Sequence, residues 1–163
     1  MIKSKFTYRI STPILALLSL ILSLILIVQH IFNSSKQDTR LFLCLLIIPI
    51  AYASVWFFYG ELRTKAIFVA IDEKVLHRQT YLGLGSAKTF DLSEFDEFIV
   101  CEIPSKFATY EYLYLMKNGR KEVKISEFYH RNYLQLKQRI AKTIKFSGGK
   151  PFSLLTDIKK TDI

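Results

Sequence analysis

Two stretches without a single Asp, Glu, Lys or Arg, residues 14–32 and 41–59, stand at the head of a chain whose later part alternates apolar and polar positions. As helices rising 1.5 Å per residue they would each cover about 28 Å, against roughly 30 Å of bilayer hydrocarbon. Buried core helices usually keep a polar stripe or stop near about 12 residues, so two transmembrane spans are expected. Lys3, Lys5 and Arg9 ahead of the first stretch also resemble the start of a signal peptide, but "QHIFNSSK" offers no small-x-small cleavage site. Pro49 is expected to kink the second span. Ala51, Ala53 and Ser54 make a small-residue patch suited to packing on another helix, in the same chain or in a second one.

From residue 60 the period changes to two. "KAIFVAID" puts Ile67, Val69 and Ile71 on one face and ends in a tight turn at Asp72-Glu73. "KVLHRQTYLG" reads as a second strand, closed by Gly83 and Gly85, and "KTFDLSEFDEFIVCEI" as a third and fourth, joined around residues 92–94. In residues 109–126, Tyr110, Tyr112, Tyr114 and Met116 alternate with Glu111, Leu113, Leu115 and Lys117 ahead of Asn118-Gly119, a strong hairpin signal. Leu113 and Leu115 are the expected inward face, which leaves the tyrosines semi-exposed or as a cross-strand aromatic ladder. Ser126 then suits a helix N-cap, and Phe128, Tyr129, Tyr133, Leu136, Ile140 and Ile144 form the stripe of an amphipathic helix over residues 127–145. Ser147-Gly148-Gly149 stops it and a flexible tail, residues 147–163, follows; its "FSLL" is suited to docking as a strand or on a partner.

The formal net charge is +9, of which +5 lies from residue 60 onward, with 18 Lys and Arg against 13 Asp and Glu. Lys3, Lys5 and Arg9 precede the first span, and Arg63 and Lys65 follow the second. Positive flanks stay inside, so both termini are expected in the cytoplasm. The same basic residues would also draw the domain toward an anionic leaflet. Cys44 and Cys101 are too far apart in sequence and setting to suggest a disulfide or a metal site.

Six short strands followed by one amphipathic helix form a recognisable series. On "KTFDLSEFDEFIV" and "FYHRNYLQLKQRI" the chain resembles a bacterial pleckstrin-homology-like (PH-like) domain, in particular the YcxB-type C-terminal domain of small two-span membrane proteins. The resemblance covers roughly residues 62–146. It implies an α+β membrane protein: a transmembrane hairpin (residues 1–61, basic tail included), then a cytoplasmic antiparallel sheet or partial barrel capped by a helix (62–146). It also implies the bacterial plasma (inner) membrane as location, and binding rather than catalysis.

Nothing in the chain supplies chemistry. His30, His77 and His130 are scattered, with no ligand spacing around them, so neither a metal nor another cofactor is expected. "GLGSAK" lacks the spacing of a phosphate loop and leads into a strand, so it reads as a turn. Basic residues interspersed with acids and no known motif argue against nucleic acid. Phosphoinositide-binding relatives carry Lys and Arg around the first hairpin, whereas here Asp72-Glu73 occupies that turn. The candidate partner or membrane surface is Tyr110, Tyr112, Tyr114, Lys117, Arg120, Lys121 and Lys124. The first expected function is therefore non-enzymatic: presenting the domain to a protein partner, by self-association or within a membrane complex. Sensing of an anionic lipid surface is the alternative, and an immunity or stress-response role a third.

Overall fold

The computed structural model describes residues 1–34, 36–104 and 108–151. Helix α1 (Ser11–Asn33) and helix α2 (Gln37–Val55) pack against each other as a hairpin. A wider π-type helix, Trp56–Leu62, continues α2 without a break. Counting these extensions, the two apolar helices run Tyr8–Asn33 and Gln37–Leu62, long and apolar enough to cross a membrane. Their apolar side chains point outward, as Leu15, Leu22, Leu45 and Ile48 do. The hydroxyls of Ser19, Ser23 and Ser54 donate back to carbonyls of their own helix, which spares these polar groups from needing another partner.

Beyond the helices the chain builds two four-stranded sheets. The first has the order β1 (Ile2–Lys3), β2 (Phe68–Asp72), β3 (Val75–Gln79), β4 (Ala87–Asp91), all antiparallel. The second has the order β7 (Arg120–Ser126), β6 (Thr109–Lys117), β5 (Glu97–Pro104), β8 (Phe146–Pro151), with β8 parallel to β5. Ile67, Val69 and Ile71 are wholly buried, as their alternation predicts. The Asn118-Gly119 hairpin also forms, and both residues take the positive φ that such a turn requires. The first turn sits one residue later than expected, with Asp72 paired to Val75 and Glu73 at its corner. Between β4 and β5, Asp91 caps a short turn by accepting from the Ser93 amide, and Glu94 returns the bond to the Asp91 amide.

The apolar core lies between the sheets, with Leu76, Phe90, Leu92, Phe98, Leu113, Leu115 and Ile125 closed off by Tyr133, Leu136 and Ile140 of α3 (Tyr133–Ala141). That helix is shorter than the expected 127–145. Residues 127–132 are instead held by the N-terminal segment: Thr7 donates to the Tyr129 carbonyl, Arg131 to the Lys5 carbonyl, and Phe6 bridges His130. One turn closes, with the Tyr129 and His130 amides on the Ser126 carbonyl, but the Arg131 amide and the Tyr129 carbonyl are committed to residues 5 and 7, so α3 begins only after Asn132. The basic residues 1–7, grouped with the hairpin from sequence, are thus stitched into the domain. Asn132 fixes them twice, accepting from the Lys5 amide and donating to the Lys3 carbonyl. Glycines 148 and 149, expected to end the helix and begin a loose tail, lie within β8. The "FSLL" segment falls outside the described residues.

Candidate functional site

The hairpin residues singled out from sequence divide into separate places. Leu113 and Leu115 do face the core, but Tyr112 and Tyr114 are buried too, at 9% and 1% exposure, against Ile99, Cys101 and Met116 on the other side of the sheet. Their rings meet edge-on at 6.4 Å along one strand, and their cross-strand neighbours are Ile99, Cys101, Ser126 and Lys124, so neither the semi-exposed face nor the cross-strand aromatic ladder forms. Lys121 lies 4.3 Å over the Tyr114 ring and Lys124 lies 4.4 Å over that of Tyr112. Tyr110 stands apart, edge-on to Phe128 with the Arg9 guanidinium above both. Lys117 pairs with Glu94, whose carboxylate holds the lysine's pKa above its usual value. Arg120 is exposed beside the turn.

A different group of cations converges where the two sheets open at one end. On β3, Arg78 has the same parity as buried Leu76, and on β4, Lys88 has the same parity as buried Phe90. Both leave the strands on the core-facing side but beyond the packed core, Arg78 half-buried and Lys88 exposed, and they are direct cross-strand partners. Like charges placed opposite each other destabilise a sheet. Arg63, just beyond the end of the second helix, adds a third cation to the same cleft. Burial lowers the pKa of Arg78 most, and the Arg63 guanidinium lowers it further, although the Glu122 carboxylate offsets part of this. Arg78 donates one bond to the Glu122 carbonyl at 2.8 Å, while its buried Nε has no hydrogen-bond partner among the described residues. Thr64, Thr80, Ser86 and Tyr114 also line the cleft, as do Lys121 and Lys124. Among the described residues lining it, Glu122 is the sole carboxylate.

The loop between β3 and β4 shapes this cleft. It is the turn that "GLGSAK" suggested, drawn tight by the Thr80 amide donating to the Ser86 carbonyl and by Gly83 and Gly85 donating to the Thr80 carbonyl. A Cβ at Gly85 would come within 2.2 Å of the Thr80 hydroxyl, so only glycine fits there. Tyr81 and Leu82 both take positive φ, an uncommon state for bulky residues. That geometry stacks the Tyr81 ring on Phe58, at the end of the second helix, with centroids 4.8 Å apart. It also leaves Leu84 89% exposed, on the same loop. Tyr129 donates to Glu61 at 3.1 Å and ties the helix end to the second sheet's outgoing chain; burial and that carboxylate push the Tyr129 phenol well above its usual pKa.

Comparison with protein-family models, with curated proteins and with solved structures found no match to this chain. The described residues define a class of architecture: an apolar helical hairpin carrying an α+β domain of two four-stranded sheets. Among the described residues, no three His, Cys, Asp or Glu side chains gather as they would around a metal. Arg63, Arg78 and Lys88 were not singled out from sequence as a site. A signal was present, because alternation in "VLHRQ" and "AKTFD" puts Arg78 and Lys88 in step with the apolar positions.

Proposed function

We propose that this chain is a non-enzymatic, two-span protein of the bacterial inner membrane whose cytoplasmic PH-like domain is held against the bilayer and reads its anionic surface. The observation that carries the reading is the β3–β4 loop. Tyr81 stacks on Phe58 beside Trp56 and Tyr59, which are about half exposed at the helix end, and Leu84 projects from the same loop with no apolar cover. Aromatic residues of this kind belong at a membrane–water interface, and an exposed leucine at that level gains by entering the acyl boundary. Cations lie just behind it in Arg63 and Lys88, where an anionic leaflet would attract them. Burial of Tyr112 and Tyr114 weighs against the tyrosine hairpin as a protein-binding face, since contact there would require opening a packed layer.

The test uses the full chain, because β1 belongs to the domain. In a Trp56→Phe background, Leu84→Trp leaves a single tryptophan on the loop. Reconstituted with brominated phospholipids, that tryptophan should be quenched, and more strongly when anionic lipid is present at low salt. An unquenched signal, equal in brominated and ordinary lipid, would place the loop in water and end this reading.

A further inference from the structure

We propose that the cleft formed by Arg63, Arg78 and Lys88 is a binding site for a phosphate group, taken from a membrane phospholipid headgroup. The geometry calls for an anion with several oxygens. Arg78, half-buried, and Lys88, exposed, are direct cross-strand partners on one side of β3 and β4, a placement that folding alone penalises. Arg63 is brought to the same place from the helix end, near enough to act on Arg78 as a like charge. Buried polar groups are nearly always paired, yet the Arg78 Nε in this cleft has no partner among the described residues. Its other arm is fixed by the Glu122 carbonyl, which holds the guanidinium plane in position. The Thr80 and Ser86 hydroxyls bond each other at 3.3 Å, which leaves one of the two O–H groups to donate to an anion, while the Thr64 hydroxyl already donates to the Gly60 carbonyl.

A tetrahedral phosphate meets these demands together. One oxygen satisfies Arg78 Nε, others reach the Arg63 guanidinium and the Lys88 ammonium, and the one free O–H of the Thr80–Ser86 pair completes the shell. Its charge removes the repulsion among the three cations. The cleft, partly open and about 80 Å³ in volume, suits the phosphate rather than a large polar headgroup. Arg63 directly follows the second helix, so a lipid seated alongside that helix presents its phosphate at the right level. The site lies on the β3–β4 loop, whereas the β2–β3 turn carries Asp72 and Glu73. The lipid source rests on the membrane-surface reading above, and the phosphate chemistry does not.

The experiment titrates the full chain in two settings. In neutral detergent micelles the probes are inorganic phosphate and glycerol 3-phosphate, followed by phosphorus NMR line broadening. In zwitterionic nanodiscs the probe is phosphatidic acid at increasing fraction, followed by the thermal unfolding midpoint. A midpoint that rises and saturates with phosphatidic acid, with no broadening of the soluble probes, assigns the site to lipid. Saturable broadening in micelles assigns it to a soluble phosphate. Either response should weaken roughly tenfold or more in Arg63→Gln and in Lys88→Gln, from loss of one charge-assisted bond. Neither side chain has a described bond to the rest of the domain, so both variants should fold even where Arg78→Gln does not. No response in either setting, or responses unchanged by both variants, overturns the proposal. The Leu84→Trp readout is independent of it, so failure of the site and failure of membrane contact remain distinguishable.

Discussion

The β2–β3 turn and the β3–β4 loop belong to the same three strands, and the domain treats their charges in opposite ways. At the β2–β3 turn the Met1 ammonium lies 3.3 Å from Asp72, and Arg139 donates to the Glu73 carbonyl. The N-terminal strand closes that side, and its backbone bonds find partners in β2 and residues 129–132. At the β3–β4 loop, Arg63, Arg78 and Lys88 crowd together, and Glu122 is the one carboxylate among the described residues lining the cleft. The first end is neutralised by the chain itself. The second keeps an excess of positive charge in a partly buried place, where electrostatic interactions are screened less than at the surface. An arrangement that costs stability without a ligand gains it with one.

The contrast can be broken most severely from below the basic cleft. Tyr114→Ala removes a side chain only 1% exposed and should cost about 3–5 kcal/mol, as large aromatic deletions do. Thermal unfolding of the full chain, followed by near-UV circular dichroism, measures it. A loss under about 1 kcal/mol would mean that the tyrosine layer is surface after all, and would restore it as a partner face.

On the closed side, Asn132→Ala deletes both bonds that anchor residues 3 and 5. A loss of about 1 kcal/mol is expected, the net worth of exposed bonds whose freed groups water can take up. Faster amide exchange in residues 1–7 should accompany it, with the β3–β4 loop unaffected.

The same side should also be the pH-sensitive one. His130 is 1% exposed, stacked at 5.5 Å on Phe6, with its ring nitrogens on the carbonyls of Ser126 and Ile67. Burial lowers its pKa below the ordinary value, more than those two carbonyls raise it. The unfolded chain therefore takes up the proton first. Stability is fully present above about pH 6.5 and falls as pH drops from there through the depressed folded value. His130→Gln should flatten that slope in the midpoint-against-pH curve while leaving the losses at lower pH, where carboxylates titrate. An unchanged slope would assign the acid sensitivity elsewhere.

The smallest effects sharpen the comparison. Asp72→Asn removes a half-exposed pair and should cost at most about 1 kcal/mol, less in high salt. Arg63→Gln should change ligand-free stability by under about 0.5 kcal/mol, in the stabilising direction, because it relieves like-charge crowding. A clear loss on Arg63→Gln would show that this cation already has a structural partner.

Much of the fold was legible because it depends on local chemistry. Residues 14–32 and 41–59 declare helices by lacking charge over a membrane's width. Asn118-Gly119 declares a hairpin because those residue types tolerate positive φ, and Ile67, Val69 and Ile71 alternate inward. The tyrosine alternation was legible as a strand but not as to which face was open, since period two separates the faces without saying what covers either. The helix from residue 127 was misjudged for a related reason. Its apolar spacing is real, but residues 5 and 7 take the bonds that the first turns would have used.

Local pattern by itself determined the two apolar helices, the succession of strands β2 to β7, the Asn118-Gly119 turn and the inward residues Ile67, Val69 and Ile71, because propensity and period act over a few neighbouring positions. Only the tertiary structure decided that residues 1–7 complete a sheet with residues 68–72, that Tyr112 and Tyr114 are buried, and that Arg63, Arg78 and Lys88 share one cleft. Those outcomes depend on how separate segments meet in space. The energies that select them, burial of a second face and repulsion among three distant cations, exist only once the segments have met.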